Sequence, residues 1–153
     1  MKSRTGKNEN KPRGSLNIYL QNPTFYAILY KGGETMTVLP RYEQAVLPVR
    51  KFTDYALNPD KQPHKALAFK LALGYDLSNY EKLIENIKRN IGKFSAKAKQ
   101  NKGFGDVYEV VLTLKGENGK TANVLTGWID DINNGEMRLT SIYIIDKGRS
   151  YHD

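Results

Sequence analysis

The sequence predicts an α+β fold: a short N-terminal β meander, two to three helices, and a C-terminal antiparallel sheet of three or more strands. Two observations predict it. Apolar residues at helical spacing are confined to residues 49–92, where Pro and Gly mark the ends of each segment. Runs with strand character lie on both sides of that region, separated by turn sequences. A length of 153 residues suffices for one domain with a sizeable core, and 39% hydrophobic against 26% charged residues is the balance of an ordinary soluble globular chain.

Taken in order, residues 1–14 carry Lys2, Arg4, Lys7, Lys11 and Arg13 against Glu9, with few large apolar groups, which predicts a disordered basic leader. Residues 15–48 form a β-rich element. Its three runs, 15–20, 24–30 and 35–39, are punctuated by Asn22-Pro23 and Gly32-Gly33, as in a meander with one tight hairpin. Residues 49–57 read as a helix that Asn58-Pro59 ends. Pro63 and His64 open a second helix, closed at Gly74. Ser78 followed by Glu81 is a capping-box pattern. The helix after it carries Tyr80, Leu83, Ile84, Ile87 and Ile91 on one stripe, with Gly92 as its stop. Residues 92–105 hold Lys93, Lys97, Lys99 and Lys102 with no acid and three glycines, which predicts a mobile basic loop. Strands follow at 106–114, 122–129 and 137–145, joined by turn sequences at 116–119 and 133–135. The helix-plus-sheet domain is expected over 49–146, and a tail over 147–153.

The net charge is +8 and half of it sits in the leader. A moderately basic body with a basic tail favours an anionic partner. The chain has no cysteine, which removes disulfides, thiolate catalysis and zinc-finger patterns together. Its two histidines, His64 and His152, are far apart, so no transition-metal cluster and no cofactor is expected. There is no Walker loop, no nucleophile elbow, no membrane-length apolar run and no signal-peptide h-region.

What remains is acid–base and phosphate chemistry. RNA carries its own nucleophile, the 2′-hydroxyl. A metal-free ribonuclease needs proton-transfer groups, cations for the developing phosphorane charge, and a phosphate held in line. His64 and Lys65 fall in the first turn of the second helix, where free backbone N–H groups also favour an anion. Strict strand alternation places Thr126 with Trp128, and Arg138 with Thr140, so these four are expected to form one polar patch across a strand pair. The same rule turns Tyr143 away unless a bulge re-aims it. Each residue has a bland alternative: His64 as a cap, Trp128 as core, and the threonines as ordinary strand residues.

Several motifs together resemble a known family. They are Lys51-Phe-Thr-Asp-Tyr-Ala-Leu-Asn-Pro-Asp, His64-Lys65-Ala-x-x-Phe-x-x-x-Leu-Gly74-Tyr, Phe104-Gly-x-x-Tyr-x-Val, Thr126-x-Trp-Ile and Arg138-Leu-Thr140-x-Tyr. They resemble the small C-terminal toxin domain of bacterial polymorphic and phage-associated toxins. That domain is similar to the barnase, EndoU, colicin and RelE-like superfamily of metal-independent ribonucleases. The resemblance spans roughly residues 50–145. It implies a catalytic set of His64, Lys65, Arg138, Thr126 and Thr140, with Tyr143 available and Trp128 as a packing or stacking residue. RNA binding by Lys93, Lys97, Lys99 and Lys102 would add to it.

The function expected is therefore a ribonuclease toxin domain acting on tRNA or another structured RNA. The resemblance implies a cognate acidic immunity protein as partner and action in the cytoplasm of a target cell for a delivered toxin; otherwise a cytoplasmic protein is expected, and the missing apolar run predicts no membrane association for a monomeric domain. The alternatives are a non-catalytic nucleic-acid-binding module of a mobile element and a protein-interaction or regulatory domain.

Overall fold

The computed structural model describes residues 16–17, 28–31, 34–101 and 103–145. The leader expected over 1–14, the tail over 147–153 and Lys102 lie outside these residues. The fold is α+β, as predicted. Strands β1 (Leu16–Asn17), β2 (Ile28–Lys31) and β3 (Glu34–Thr37) form one antiparallel sheet in that order. Helices α1 (Pro63–Leu73) and α2 (Tyr80–Asn90) follow. Strands β4 (Ala96–Lys99), β5 (Val107–Lys115), β6 (Thr121–Asp131) and β7 (Glu136–Ile145) form a second antiparallel sheet, again in sequence order.

The helical signals act where local chemistry predicts. Pro63 begins α1, its fixed φ already helical and its missing N–H costing nothing there. Gly74 ends it with φ 76°, a left-handed cap that a side chain would strain. Residues 51–56 are helical but wound as a π-helix, so that the Leu57 amide bonds back to the Phe52 carbonyl at 2.9 Å. The capping box lies two residues earlier than Ser78–Glu81 predicts. The Asp76 carboxylate accepts from the Ser78 amide at 2.8 Å and Asn79 accepts from the Asp76 amide at 2.8 Å, because a 3-10 turn precedes α2.

Residues 92–105 differ more. They are not a loop throughout, since Ala96–Lys99 pairs antiparallel with β5 and forms the edge strand of the sheet. Lys97 lies opposite Glu109, and Lys99 forms an ion pair with the Glu109 carboxylate at 3.4 Å. The acid missing from the loop is supplied across the strand pair, which relieves the repulsion within the lysine run.

Helix α1 packs over β6 and β7, and α2 over β5. The core between them holds Phe52, Phe69, Leu73, Leu83, Ile87, Leu112, Val124, Trp128 and Leu139, all fully buried. Asn86 is buried among them and satisfied: its amide donates to the Tyr75 hydroxyl and to the Lys115 carbonyl, both at 2.9 Å. The packed body begins before residue 49. Val38 and Leu39 are buried, and Val46 adds a parallel bridge to Arg138 on the outer edge of β7. No helix among the described residues is long and apolar enough to cross a membrane.

Candidate functional site

The site begins with one extra residue. Gly127 pairs with Ser141 but Trp128 pairs with Leu139, so Thr140 is a β-bulge in β7. Alternation breaks there. Leu139 and Ile142 are both buried, while Thr140 and Ser141 are consecutive and both exposed. Gly127 makes room for this: a Cβ on it would stand 2.5 Å from the Ser141 Oγ and 3.3 Å from the Thr140 Oγ1.

The bulge faces a cavity of about 140 Å³ between β7 and the helical region. Lys51 and Tyr55 enter it from the π-helix, Gln62 and Lys65 from the start of α1, and Thr140 and Ser141 from the bulge. Lys51 and Tyr55 stand four residues apart on the π-helix and so share a side, with the Lys51 ammonium 5.8 Å from the Tyr55 ring centroid. The Lys65 ammonium lies 5.8 Å from the Tyr143 ring centroid. No side chain caps the N-terminus of α1, so the positive end of its dipole adds to the same field.

Two lysines and no carboxylate line the cavity. Burial lowers the Lys65 pKa from its ordinary value, and the Lys51 ammonium lowers it further. An anion between the two ammoniums offsets the second cause directly. Hydroxyls at Thr140 and Ser141 and the Gln62 amide add neutral donors. That is a set suited to phosphate.

The structure brings together only some of the residues the sequence singled out. Lys65 and Thr140 line the cavity, and Tyr143 holds the Lys65 ammonium. Lys51, Tyr55, Gln62 and Ser141 were not among the candidates. The i, i+4 spacing of Lys51 and Tyr55 in a helix was the signal that could have found those two. His64 is exposed in the first turn of α1, one residue from Lys65, and is not among the residues lining the cavity.

The expected patch of Thr126, Trp128, Arg138 and Thr140 does not form. Thr126 and Trp128 face the helices and are fully buried, so neither can touch RNA. The Trp128 indole N–H donates to the Thr126 Oγ1, which donates to the Val110 carbonyl, each at 2.8 Å. Arg138 lies opposite Ile129, on the other face of the sheet, and its guanidinium bonds Glu136 at 2.7 Å. Of the proposed RNA-binding lysines, Lys93 and Lys97 are exposed and Lys99 is partly covered by its pairing with Glu109.

The bulge geometry makes a stability prediction. Gly127→Ala is expected to lose about 1 kcal/mol, the low end for overpacking because the exposed Ser141 hydroxyl can turn aside, and adding Ser141→Ala is expected to restore most of it. Thermal melts of the single and double variants check this. A Gly127→Ala protein as stable as the parent would show that the bulge accepts a methyl group there without cost.

Residues 38–146 match the model of a family described as a domain of unknown function, DUF6883. No curated protein and no solved structure matches the chain.

Proposed function

The chain belongs to the DUF6883 family, and we propose that it is a metal-independent ribonuclease domain of the toxin type, cleaving tRNA or another structured RNA through the substrate's own 2′-hydroxyl. One observation carries this reading: two lysines line a small cavity together with a bulge that displays two hydroxyls. Phosphate is the ligand chemistry that this arrangement fits.

In this reading Lys51 and Lys65 hold the scissile phosphate, and Thr140 and Ser141 donate to its non-bridging oxygens. As the 2′-oxygen attacks phosphorus, negative charge grows on those oxygens, and preorganised cations stabilise it most when little water competes. The proton on the 2′-hydroxyl must leave and the 5′-oxygen must gain one. Lys65 is suited to the second step, because an ammonium made more acidic by burial and by a like charge gives up its proton more readily. His64, exposed in the same turn, is the candidate acceptor for the first. The lysines supply the positive charge that a divalent ion supplies in other nucleases. Among the described residues no group of three or more His, Cys, Asp or Glu side chains could hold a metal ion.

A toxin of this type would act in the cytoplasm of a target cell and would be held in check by an acidic immunity protein. The positive charge around the cavity is what such a partner would cover.

The expected result is RNA cleavage that survives EDTA and leaves 2′,3′-cyclic phosphate ends, read by gel and by end-group analysis. Cleavage that EDTA abolishes and magnesium restores would sink the mechanism. A second reading, phosphate-directed RNA binding without cleavage, is favoured by the position of His64 outside the cavity lining. Salt-dependent RNA binding with intact product would decide for it.

A further inference from the structure

The cavity is small. At about 140 Å³ it has less than half the volume of the ~300–1,000 Å³ pockets that enclose a drug-sized ligand. It has room for a phosphate group and not for a nucleoside. The sugars and bases on either side of a bound phosphate must therefore rest outside it, on whatever surface flanks it.

That surface is aromatic. Within residues 37–101 and 103–145 three aromatic side chains are exposed: Tyr55 at 46%, Phe104 at 71% and Tyr143 at 38%. Two of the three stand at this site, and they come from different elements. Tyr55 rises from the π-helix on one side. Tyr143 lies two residues beyond Ser141 on β7, on the same face as Ser141 by their pairing with Leu125 and Gly127. Each ring already has one of the two lysine ammoniums near it. An ammonium drawn from the ring to a phosphate leaves that ring's face to a neighbouring base.

Resting on the phosphate reading above, we propose that the site takes single-stranded RNA, with the bases on the two sides of the bound phosphate stacked on Tyr55 and Tyr143. Paired bases are stacked within a duplex and cannot lie on a protein ring without leaving it, whereas every unpaired base offers a free π face. A structured RNA would be taken at its unpaired loops. Stacking tolerates any base, so the tyrosines would select strandedness and not sequence.

The test uses a 2′-O-methyl RNA octamer, whose blocked 2′-oxygen prevents cleavage. Its partners are an abasic octamer with the same backbone and the first octamer annealed to its complement. Fluorescence anisotropy at one fixed salt concentration gives the affinities. The intact single strand is expected to bind more tightly than the abasic strand by about 5- to 150-fold for each stacked base. The duplex should lack this advantage. Tyr55→Leu and Tyr143→Leu should each remove part of it, read as a fall in the ratio of intact to abasic affinity. Tyr55→Phe and Tyr143→Phe should keep it, since the ring face and not the hydroxyl is used.

Equal affinity for intact and abasic strands would overturn the stacking inference. So would a preference that both leucine variants retain. In either case the phosphate site itself still stands if Lys51→Gln with Lys65→Gln weakens abasic binding. Abasic binding that survives loss of both lysines would overturn the phosphate reading, and this inference with it.

Discussion

Lys65→Gln is expected to lower the rate of RNA cleavage by about 10²–10⁴-fold, the range for removing a positioned proton-transfer group, with the fold intact. The side chain lies at the start of α1 and is only partly covered, so little packing is lost. Lys65→Arg separates charge from proton transfer. Arginine keeps the cation but holds its proton too tightly to give it up. The arginine variant should therefore bind RNA nearly as the parent does and still cleave poorly.

Lys51→Gln tests the coupling between the two ammoniums. The direct loss of a phosphate contact should cost about 10²–10³-fold, the range for one charge-stabilising donor. It should also move the pH profile. Lys51 is the second cause of the lowered Lys65 pKa, after burial, so its removal lets that pKa rise part of the way back. If protonated Lys65 is the acid, activity falls as pH rises through its pKa. In Lys51→Gln that fall should come at higher pH than in the parent. A Lys65→Gln protein that cleaves RNA as fast as the parent would remove this residue from the chemistry.

The parts of the fold legible in the sequence are those fixed by local chemistry. Pro63 and Gly74 bracket α1, the apolar stripe of Leu83, Ile84 and Ile87 is buried as its spacing requires, and Gly135 takes a positive φ in the β6–β7 turn. What was not legible depends on partners distant in sequence. Ala96–Lys99 becomes a strand because β5 offers it an edge and Glu109 an opposite charge. The run itself gives only four residues of weak alternation.

The bulge at Thr140 was the decisive unknown. One extra residue reverses the side-chain alternation beyond it. It exposes Ser141 beside Thr140, buries Ile142 and turns Tyr143 outward. No turn residue or proline marks it. Only the pairing with β6 and the space above Gly127 do. Lys65, Thr140 and Tyr143 were thus found in the sequence as residue types, while their meeting with Lys51 and Tyr55 had to be seen in three dimensions. Thr126 and Trp128 misled for the opposite reason: two polar-capable side chains on one strand face satisfy each other inside the core.

The largest effect on stability should come from Trp128→Ala. Trp128 is fully buried and is the largest side chain in the core. Replacing a buried aromatic by alanine typically removes about 3–5 kcal/mol, through lost transfer energy and the cavity left behind. At about 4–8 °C per kcal/mol for a domain near 100 residues, the melting temperature should fall by well over ten degrees. Part of the loss is polar. The Thr126 hydroxyl accepts from the indole and donates to the Val110 carbonyl, so alanine at 128 leaves it with one partner. Trp128→Phe keeps most of the volume while removing the N–H and part of the second ring, and should cost much less than alanine. Thr126→Val makes the converse change: it leaves the indole N–H buried without an acceptor, at about 1–3 kcal/mol. The two changes share one hydrogen bond. The Thr126→Val, Trp128→Phe double variant should therefore lose less than the singles add up to. Chemical denaturation of the four proteins measures this. If Trp128→Ala melts with the parent, the tryptophan is not the centre of this core. A double variant that is strictly additive would mean that the indole and the hydroxyl do not depend on each other.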